Sequence, residues 1–166
     1  MIAPLEPPET HVLAAAEGWL ELGNPAEAAA ELQAINPQFA VHPAVLELSW
    51  QIHARERQWE TCLTVAARLV ELNPELPAGW IHRSYTLHEL QRTAEARDLL
   101  LPALARFPEQ MILKYNLACY ECRLGNLARA RQWLKEVFGH QHAATWRQAA
   151  LGDPDLEFIR AEIPLL

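Results

Sequence analysis

The sequence contains few of the residues that build nucleotide-binding loops, hydrolytic sites or disulfide frameworks. It has six glycines in 166 residues, and no Gly-rich phosphate loop, Gly-x-Ser-x-Gly elbow or His-Glu-x-x-His pair. These gaps argue against phosphoryl transfer, serine hydrolysis and zinc proteolysis. The three cysteines, Cys62, Cys119 and Cys122, are an odd number in a chain large enough to form a core without disulfides. We therefore expect reduced thiols, no enzymatic activity and no cofactor.

Long hydrophobic runs are also missing. No stretch of eighteen apolar residues occurs, and the first eight residues have neither the basic nor the apolar region of a signal peptide. We expect a soluble, cytoplasmic protein that does not insert into membranes.

Positive charge is absent from the first third of the chain. Residues 1–54 hold seven acids and no Lys or Arg, whereas residues 55–166 hold fourteen charges of each sign. The net charge of −7 argues against nucleic acid or anionic lipid as a general partner, because phosphates attract basic surfaces.

The residues that are abundant favour helices. Hydrophobic residues make up 51% of the chain and aromatic residues only 8%, while Ala, Leu, Glu and Gln recur throughout and Arg recurs after residue 54. These are good helix formers, and few β-branched clusters interrupt them. Composition and length together predict one compact all-α domain.

A 34-residue period runs through the chain. Asn73-Pro74 and Phe107-Pro108 end successive helical runs 34 residues apart. The same spacing relates four small residues (Ala28, Cys62, Ala96, Ala130), four apolar residues one turn later (Leu32, Ala66, Leu100, Leu134) and four turn positions (Gly23, Arg57, Gln91, Gly125). Short side chains allow two antiparallel helices to approach closely. The period therefore predicts an array of helix-turn-helix units.

On these residues the sequence resembles the tetratricopeptide-repeat (TPR) family, in particular small bacterial TPR proteins. The third block matches through Trp80, Ala96-x-x-x-Leu100 and Pro108, and the fourth through Tyr115-Asn116-Leu117-Ala118 and Ala130-x-x-x-Leu134. The blocks cover residues 9–42, 43–76, 77–110 and 111–144. The resemblance implies a right-handed α-solenoid of about four repeats in a single TPR domain, with a C-terminal cap over residues 145–166.

Several residues depart from the family pattern. Asn36-Pro37 comes three residues early, so we expect the second helix of the first repeat to be one turn short. Pro102 removes a backbone hydrogen bond and should bend the second helix of the third repeat. Trp50, Glu56 and Arg83 occupy positions where the family has other residue types, which leaves the packing of those helices open.

The last residues predict a cap for the array. Asp153-Pro154-Asp155 has the N-cap, first-turn proline and acidic first turn of a helix that runs to about Ile163. Leu156, Phe158 and Ile159 are expected to cover the last repeat.

The resemblance further implies that the first helix of each repeat lines a concave groove that binds a protein or peptide partner. Aromatic rings, amides and guanidinium groups hold extended peptides by stacking, hydrogen bonding and carboxylate pairing. The candidate partner-binding residues are Gln51, Arg55, His82, Tyr85, His88, Tyr115, Asn116, Cys119 and Arg123. Asn116 matches the position where TPR proteins present an amide to a peptide backbone. It is the only match to the carboxylate clamp of some family members, so that specific function is not supported.

Other interpretations stay open. Tyr85 and Tyr115 could be packing residues, and Arg55 and Arg123 solvated charges. A secretion-type chaperone that shields a hydrophobic partner is an alternative adaptor, since small acidic TPR proteins serve type III secretion.

The cysteines and the charges allow two further hypotheses. Cys119, Cys122 and His88 could form a thiol or zinc site, although two cysteines in mid-helix do not suit a dithiol active site. From Lys114 to Arg147 six bases oppose two acids, so the acidic first repeat could dock on this region of another copy. Such a homo-oligomer would weaken with added salt.

Overall fold

The computed structural model describes residues 4–166 and shows an all-helical protein, without strands in that range. Residues 1–3, part of the segment used in the signal-peptide argument, lie outside the described residues. The α-helices are α1 Glu9–Glu21, α2 Pro25–Leu32, α3 Pro43–Arg55, α4 Trp59–Leu72, α5 Pro77–Glu89, α6 Thr93–Leu100, α7 Ala103–Arg106, α8 Met111–Arg123, α9 Leu127–Phe138 and α10 Ala143–Gly152. Two segments are 3-10 helical, Pro37–Phe39 and Pro154–Leu165. Over the described range, every helix is too short or too polar to span a bilayer.

The chain divides into two compact units, the first ending at Thr86 and the second beginning at Leu87. In the first unit, α1 packs on α2, α3 packs on α4, and α3 also contacts α1 and α2. In the second unit, α8 packs on α9 and α6, and the 3-10 helix Pro154–Leu165 lies against α8, α9 and α10. A single TPR domain over residues 1–166 stays a prediction.

The predicted 34-residue period is present in the helices. Helices α1, α3, α5 and α8 each have 13 residues and begin at positions 9, 43, 77 and 111. The four predicted turn positions all have positive φ, at Gly23 (78°), Arg57 (55°), Gln91 (62°) and Gly125 (81°). The four small residues of the second helices are fully buried. Each helical hairpin therefore uses one backbone geometry at the same place in the period.

Two predicted irregularities are found. Helix α2 has 8 residues where α4 has 14, so the predicted shortening before Asn36-Pro37 is present, but it amounts to nearly two turns instead of one. Pro102 breaks its helix instead of bending it, since α6 ends at Leu100 and α7 begins at Ala103. Proline has no N–H to continue the helical ladder.

The three unusual residues are accommodated individually within the first unit. The indole of Trp50 stacks on His82 with ring centroids 3.8 Å apart. The guanidinium of Arg83 lies over the ring of Trp80 at 5.0 Å, which is a cation–π geometry. Glu56 is exposed and accepts a hydrogen bond from Gln58.

Gly79 marks a close approach of α5 to α4. A Cβ added there would lie 2.9 Å from the backbone nitrogen of Val70 and 3.0 Å from Cβ of Leu69. Alanine normally stabilises a helix interior by about 1 kcal/mol relative to glycine. Here the clash outweighs that gain, and we expect Gly79→Ala to lower the free energy of unfolding by about 1–3 kcal/mol.

Gly18 in α1 provides the matched control, because a Cβ added there meets nothing within 4 Å. Gly18→Ala should raise the free energy of unfolding by up to about 1 kcal/mol. Urea unfolding followed by circular dichroism measures both variants. A stabilising effect at both positions would contradict the close approach of α4 and α5.

Candidate functional site

The C-terminal segment, defined as residues 153–165, packs on α8 in the second unit. The Asp153 carboxylate accepts a hydrogen bond from the backbone N–H of Asp155 at 2.9 Å, which confirms the predicted N-cap. Leu156, Ile159 and Ile163 are completely buried or nearly so. The prediction that Phe158 covers the last repeat is wrong, since its side chain is 60% exposed. A 3-10 helix has three residues per turn, which places Leu156 and Ile159 on the same face and Phe158 on a different one.

Asp153 holds two of the predicted partner-binding residues. The Tyr115 hydroxyl donates to Asp153 Oδ2 at 2.8 Å, and the Cys119 thiol lies 3.6 Å from the same oxygen. Both side chains are buried. Burial raises the pKa of the Tyr115 phenol and of the Cys119 thiol, and the Asp153 carboxylate raises both further. The two groups therefore keep their protons and act as hydrogen-bond donors.

Asp155 and Glu157 engage two more of the predicted residues. His88 Nε2 lies 2.9 Å from Asp155 Oδ2, and its Nδ1 lies 2.9 Å from Thr93 Oγ1. The guanidinium of Arg123 is 3.7 Å from Asp155 and 3.5 Å from Glu157. Four of the nine candidates, His88, Tyr115, Cys119 and Arg123, thus contact the protein's own C-terminal segment.

The thiols have the environment of structural cysteines. All three are buried. Burial raises the pKa of Cys62 to about 11 and also raises the pKa values of Cys119 and Cys122. A redox-active or nucleophilic cysteine needs access and a lowered pKa. The CxxC sequence therefore has the opposite of the properties that dithiol chemistry requires.

The structure does not bring the three suggested zinc ligands, Cys119, Cys122 and His88, together as one group. Within residues 4–166, the one group of possible ligands whose donor atoms all lie within 4.8 Å of one another is Cys119, Asp153 and Asp155. Cys122 and His88 are not members of that group. Its two carboxylates already accept hydrogen bonds from protein donors. The geometry fits a hydrogen-bonded cluster that fixes the C-terminal segment.

In the first unit, an aromatic cluster supports the predicted residues His82 and Tyr85. Trp50 Nε1 donates to Thr86 Oγ1 at 2.9 Å while its ring stacks on His82. The ring of Tyr85 meets the rings of Trp50 and Trp59 edge-on, at 6.1 and 6.0 Å. Tyr85 is nevertheless 38% exposed. Its ring is therefore fixed by packing while one side faces solvent.

A carboxylate lies beside this cluster. Glu47 Oε1 is 3.8 Å from Nε2 of His82. The His82 side chain lowers the pKa of the Glu47 carboxyl, against the effect of burial. Glu47 is therefore ionised at neutral pH next to the imidazole.

The remaining first-unit candidates, Gln51 and Arg55, line an open recess with α1. This recess has a volume of about 190 Å³, and its α1 wall consists of Glu17, Leu20 and Glu21. Gln51 is half-buried and Arg55 is exposed. The recess offers one amide, one guanidinium, two carboxylates and one leucine side chain.

The period relates these residues to those in the second unit. Gln51 and Tyr85 precede Cys119 by 68 and 34 residues, and Arg55 precedes Arg123 by 68. At the position of Cys119, Gln51 is half-buried and Tyr85 is exposed, and at the position of Arg123, Arg55 is exposed. The ninth candidate, Asn116, is half-buried on α8.

Acids of the second unit offset its basic region. Lys114 pairs with Glu136 at 3.0 Å, and Arg131 pairs with Glu162 at 2.6 Å. The contacts of Arg123 with the C-terminal segment add to this neutralisation. The self-association hypothesis stays a prediction, with less unpaired positive charge to support it than the sequence suggested.

Sequence reasoning missed Trp50 as the residue that positions His82 and Tyr85, and missed the long-range contacts of Asp153 and Asp155. The local signal of Asp153 as an N-cap was visible. Its contact with Tyr115 joins residues 38 positions apart, and that of Asp155 with His88 joins residues 67 apart. No local sequence pattern predicts contacts between residues so far apart in the chain.

No family model matches this sequence, and a comparison with curated proteins gives no match.

Proposed function

We propose that this protein is a TPR-type protein-interaction module that binds a peptide or helix of a partner protein. The binding site is the first-unit surface, defined as Gln51, Arg55, His82 and Tyr85. Its action is binding and not catalysis, in keeping with the buried thiols. The right-handed solenoid of TPR repeats is part of this proposal, and the 34-residue spacing of four 13-residue helices supports it.

One observation carries the proposal. On α8, the positions of Tyr115, Cys119 and Arg123 hold an acidic segment of the chain itself by hydrogen bonds and ion pairs. At the equivalent positions on α3 and α5, Gln51 is half-buried and Arg55 and Tyr85 are exposed to solvent. Exposed side chains at positions that bind a chain segment on α8 are suited to bind a segment of another protein.

The chemistry of the first-unit surface fits such a ligand. Tyr85 offers a ring that packing has already fixed, so binding costs little side-chain entropy. Gln51 can pair with a peptide backbone through both its donor and its acceptor. Arg55 can pair with a carboxylate. Aromatic and arginine side chains are the commonest anchors of protein interfaces.

Site-specific photocrosslinking in a lysate of the source cells tests this proposal. A photoreactive phenylalanine analogue replaces Arg55 in one sample and Phe158 in another. Both positions are exposed, but Phe158 belongs to the second unit and is not part of the proposed site. We expect a discrete crosslinked protein from position 55 that is absent from position 158.

Tyr85→Ala in the background of the position-55 probe should reduce that crosslink at least tenfold, which corresponds to about 1.4 kcal/mol or more of binding energy. Phe158→Ala should leave it unchanged. Equal labelling from positions 55 and 158, or a crosslink that is indifferent to Tyr85→Ala, would place the binding surface elsewhere.

A further inference from the structure

A second candidate binding site lies in the first unit, on another side of α3. An open pocket of about 450 Å³ is formed by α2, the 3-10 turn Pro37–Phe39 and α3. The α3 residues that line it are centred on Ser49 and Ile52, whereas the first-unit surface uses Gln51 and Arg55. At 3.6 residues per turn, these two sets project in directions roughly 110° apart around the helix.

The pocket follows from the shortening of α2. Leu69 lies in the last turn of α4, and its side chain is buried. The equivalent residue in the first repeat, Ile35, comes after α2 has ended at Leu32. No helical turn covers α3 at this place, and the chain turns away through Pro37–Phe39. The pocket therefore borders the edge of the first-unit core.

Apolar side chains form most of the pocket wall, including Leu32, Ile35, Val45 and Ile52. Ile35, Val45 and Ile52 also belong to the buried core of the first unit. The polar lining consists of Gln33, Ser49 and His53. The volume is within the range of about 300–1,000 Å³ that is typical of ligand sites. An apolar side chain that displaced water from this wall would be stabilised by burial.

The net charge of the first unit indicates what kind of partner segment would supply that apolar side chain. Up to Thr86 the sequence has eleven acids and four arginines, and all four arginines come after residue 54. From Leu87 onward it has ten charges of each sign. The whole net charge of the protein thus belongs to the unit that contains the pocket. The described residues that line the pocket include no acidic side chain, and Glu27 and Glu31 project from the opposite face of α2. The attraction for a basic segment therefore comes from the charge of the whole unit.

We propose that this pocket binds a basic amphipathic segment of a partner protein, which inserts an apolar side chain between α2 and α3. The acidic unit attracts the basic residues of the segment, and the pocket holds its apolar face. A second copy of this chain is a poorer candidate for this pocket, because its second unit has no net positive charge for the acidic first unit to attract. This site is independent of the first-unit surface defined by Gln51, Arg55, His82 and Tyr85.

The test uses the full chain and a labelled 18-residue helical peptide of Leu and Lys, with Leu at positions i, i+3, i+4 and i+7. Fluorescence anisotropy measures affinity, and methyl NMR locates the site. We expect the largest shifts at the methyl groups of Leu32, Ile35, Val45 and Ile52. The corresponding Leu and Glu peptide should bind at least tenfold more weakly, because like charges repel.

Two alanines allow a matched pair of variants. Ala40 is exposed at the rim and lines the pocket, whereas Ala30 is exposed on α2 and does not line it. Ala40→Trp should weaken binding of the Lys peptide at least tenfold, and Ala30→Trp should not. Tyr85→Ala should also leave this affinity unchanged, which separates the pocket from the first-unit surface.

Several results would overturn the inference. Equal binding by Ala40→Trp and wild type would remove the pocket as the site, and equal affinity for the Glu peptide would remove the charge argument. Loss of binding in Tyr85→Ala would assign the peptide to the other surface. A wild-type dimer in light scattering that Ala40→Trp dissociates would identify a second copy as the occupant.

Discussion

Replacing Ile159 by alanine should destabilise the second unit by about 2–5 kcal/mol. The Ile159 side chain is only 1% exposed and belongs to the segment that packs on α8. Truncation loses the burial of the removed carbons and leaves a cavity that the surrounding helices cannot fully close. Urea unfolding of the full chain, followed by the fluorescence of its tryptophans, measures the change in the free energy of unfolding.

Phe158→Ala is the matched control for this variant. It removes a larger side chain from the adjacent position of the same segment, but Phe158 is 60% exposed. We expect a change within about 0.5 kcal/mol, as for surface substitutions in general. If the Phe158 and Ile159 variants were equally destabilised, the 3-10 register of the segment would be wrong.

The second large effect is expected at Asp153. Asp153→Ala removes the acceptor of the buried Tyr115 hydroxyl and the N-cap of the C-terminal segment. A hydrogen bond to a charged group contributes about 1.5–3 kcal/mol, and a lost N-cap costs about 0.5–2 kcal/mol. Together these effects predict a loss of about 2–5 kcal/mol in the free energy of unfolding.

A double-mutant cycle with Tyr115→Phe isolates the contact between the two side chains. Tyr115→Phe alone removes the donor, and the cap at Asp153 remains. In the double variant no hydroxyl is left without an acceptor, so the combined loss should be smaller than the sum of the single losses by about 1 kcal/mol or more. Additive losses would show that Tyr115 and Asp153 do not interact in solution.

Much of the helical framework could be predicted from sequence. Small residues at Ala28, Cys62, Ala96 and Ala130, and turn residues one period apart, gave the correct positions of the hairpins. Steric fit and backbone conformation at these places depend on residues close in sequence. The short α2 was predicted for the same reason, because Asn36-Pro37 ends the helical run locally.

The candidate sites were predicted less completely. The nine partner-binding residues were assigned from their positions within the 34-residue repeat. The repeat predicts which face of a helix a residue lies on, but it does not predict which other segment covers that face. On α8 the C-terminal segment covers Tyr115 and Cys119, whereas Arg55 on α3 and Tyr85 on α5 are exposed. Phe158 and Ile159 are neighbours of similar hydrophobicity, so composition could not show that only Ile159 is buried.

The sequence alone therefore determined the helical class, the 34-residue period, the turn positions and the acidic character of the first unit, since these depend on local sterics and on composition. Tertiary structure decided that Asp153 and Asp155 return to Tyr115 and His88, and that an apolar pocket remains beside the short α2. Contacts between residues 38 and 67 positions apart depend on the direction in which the chain returns. That direction is set by the packing of whole helices, which no local pattern specifies.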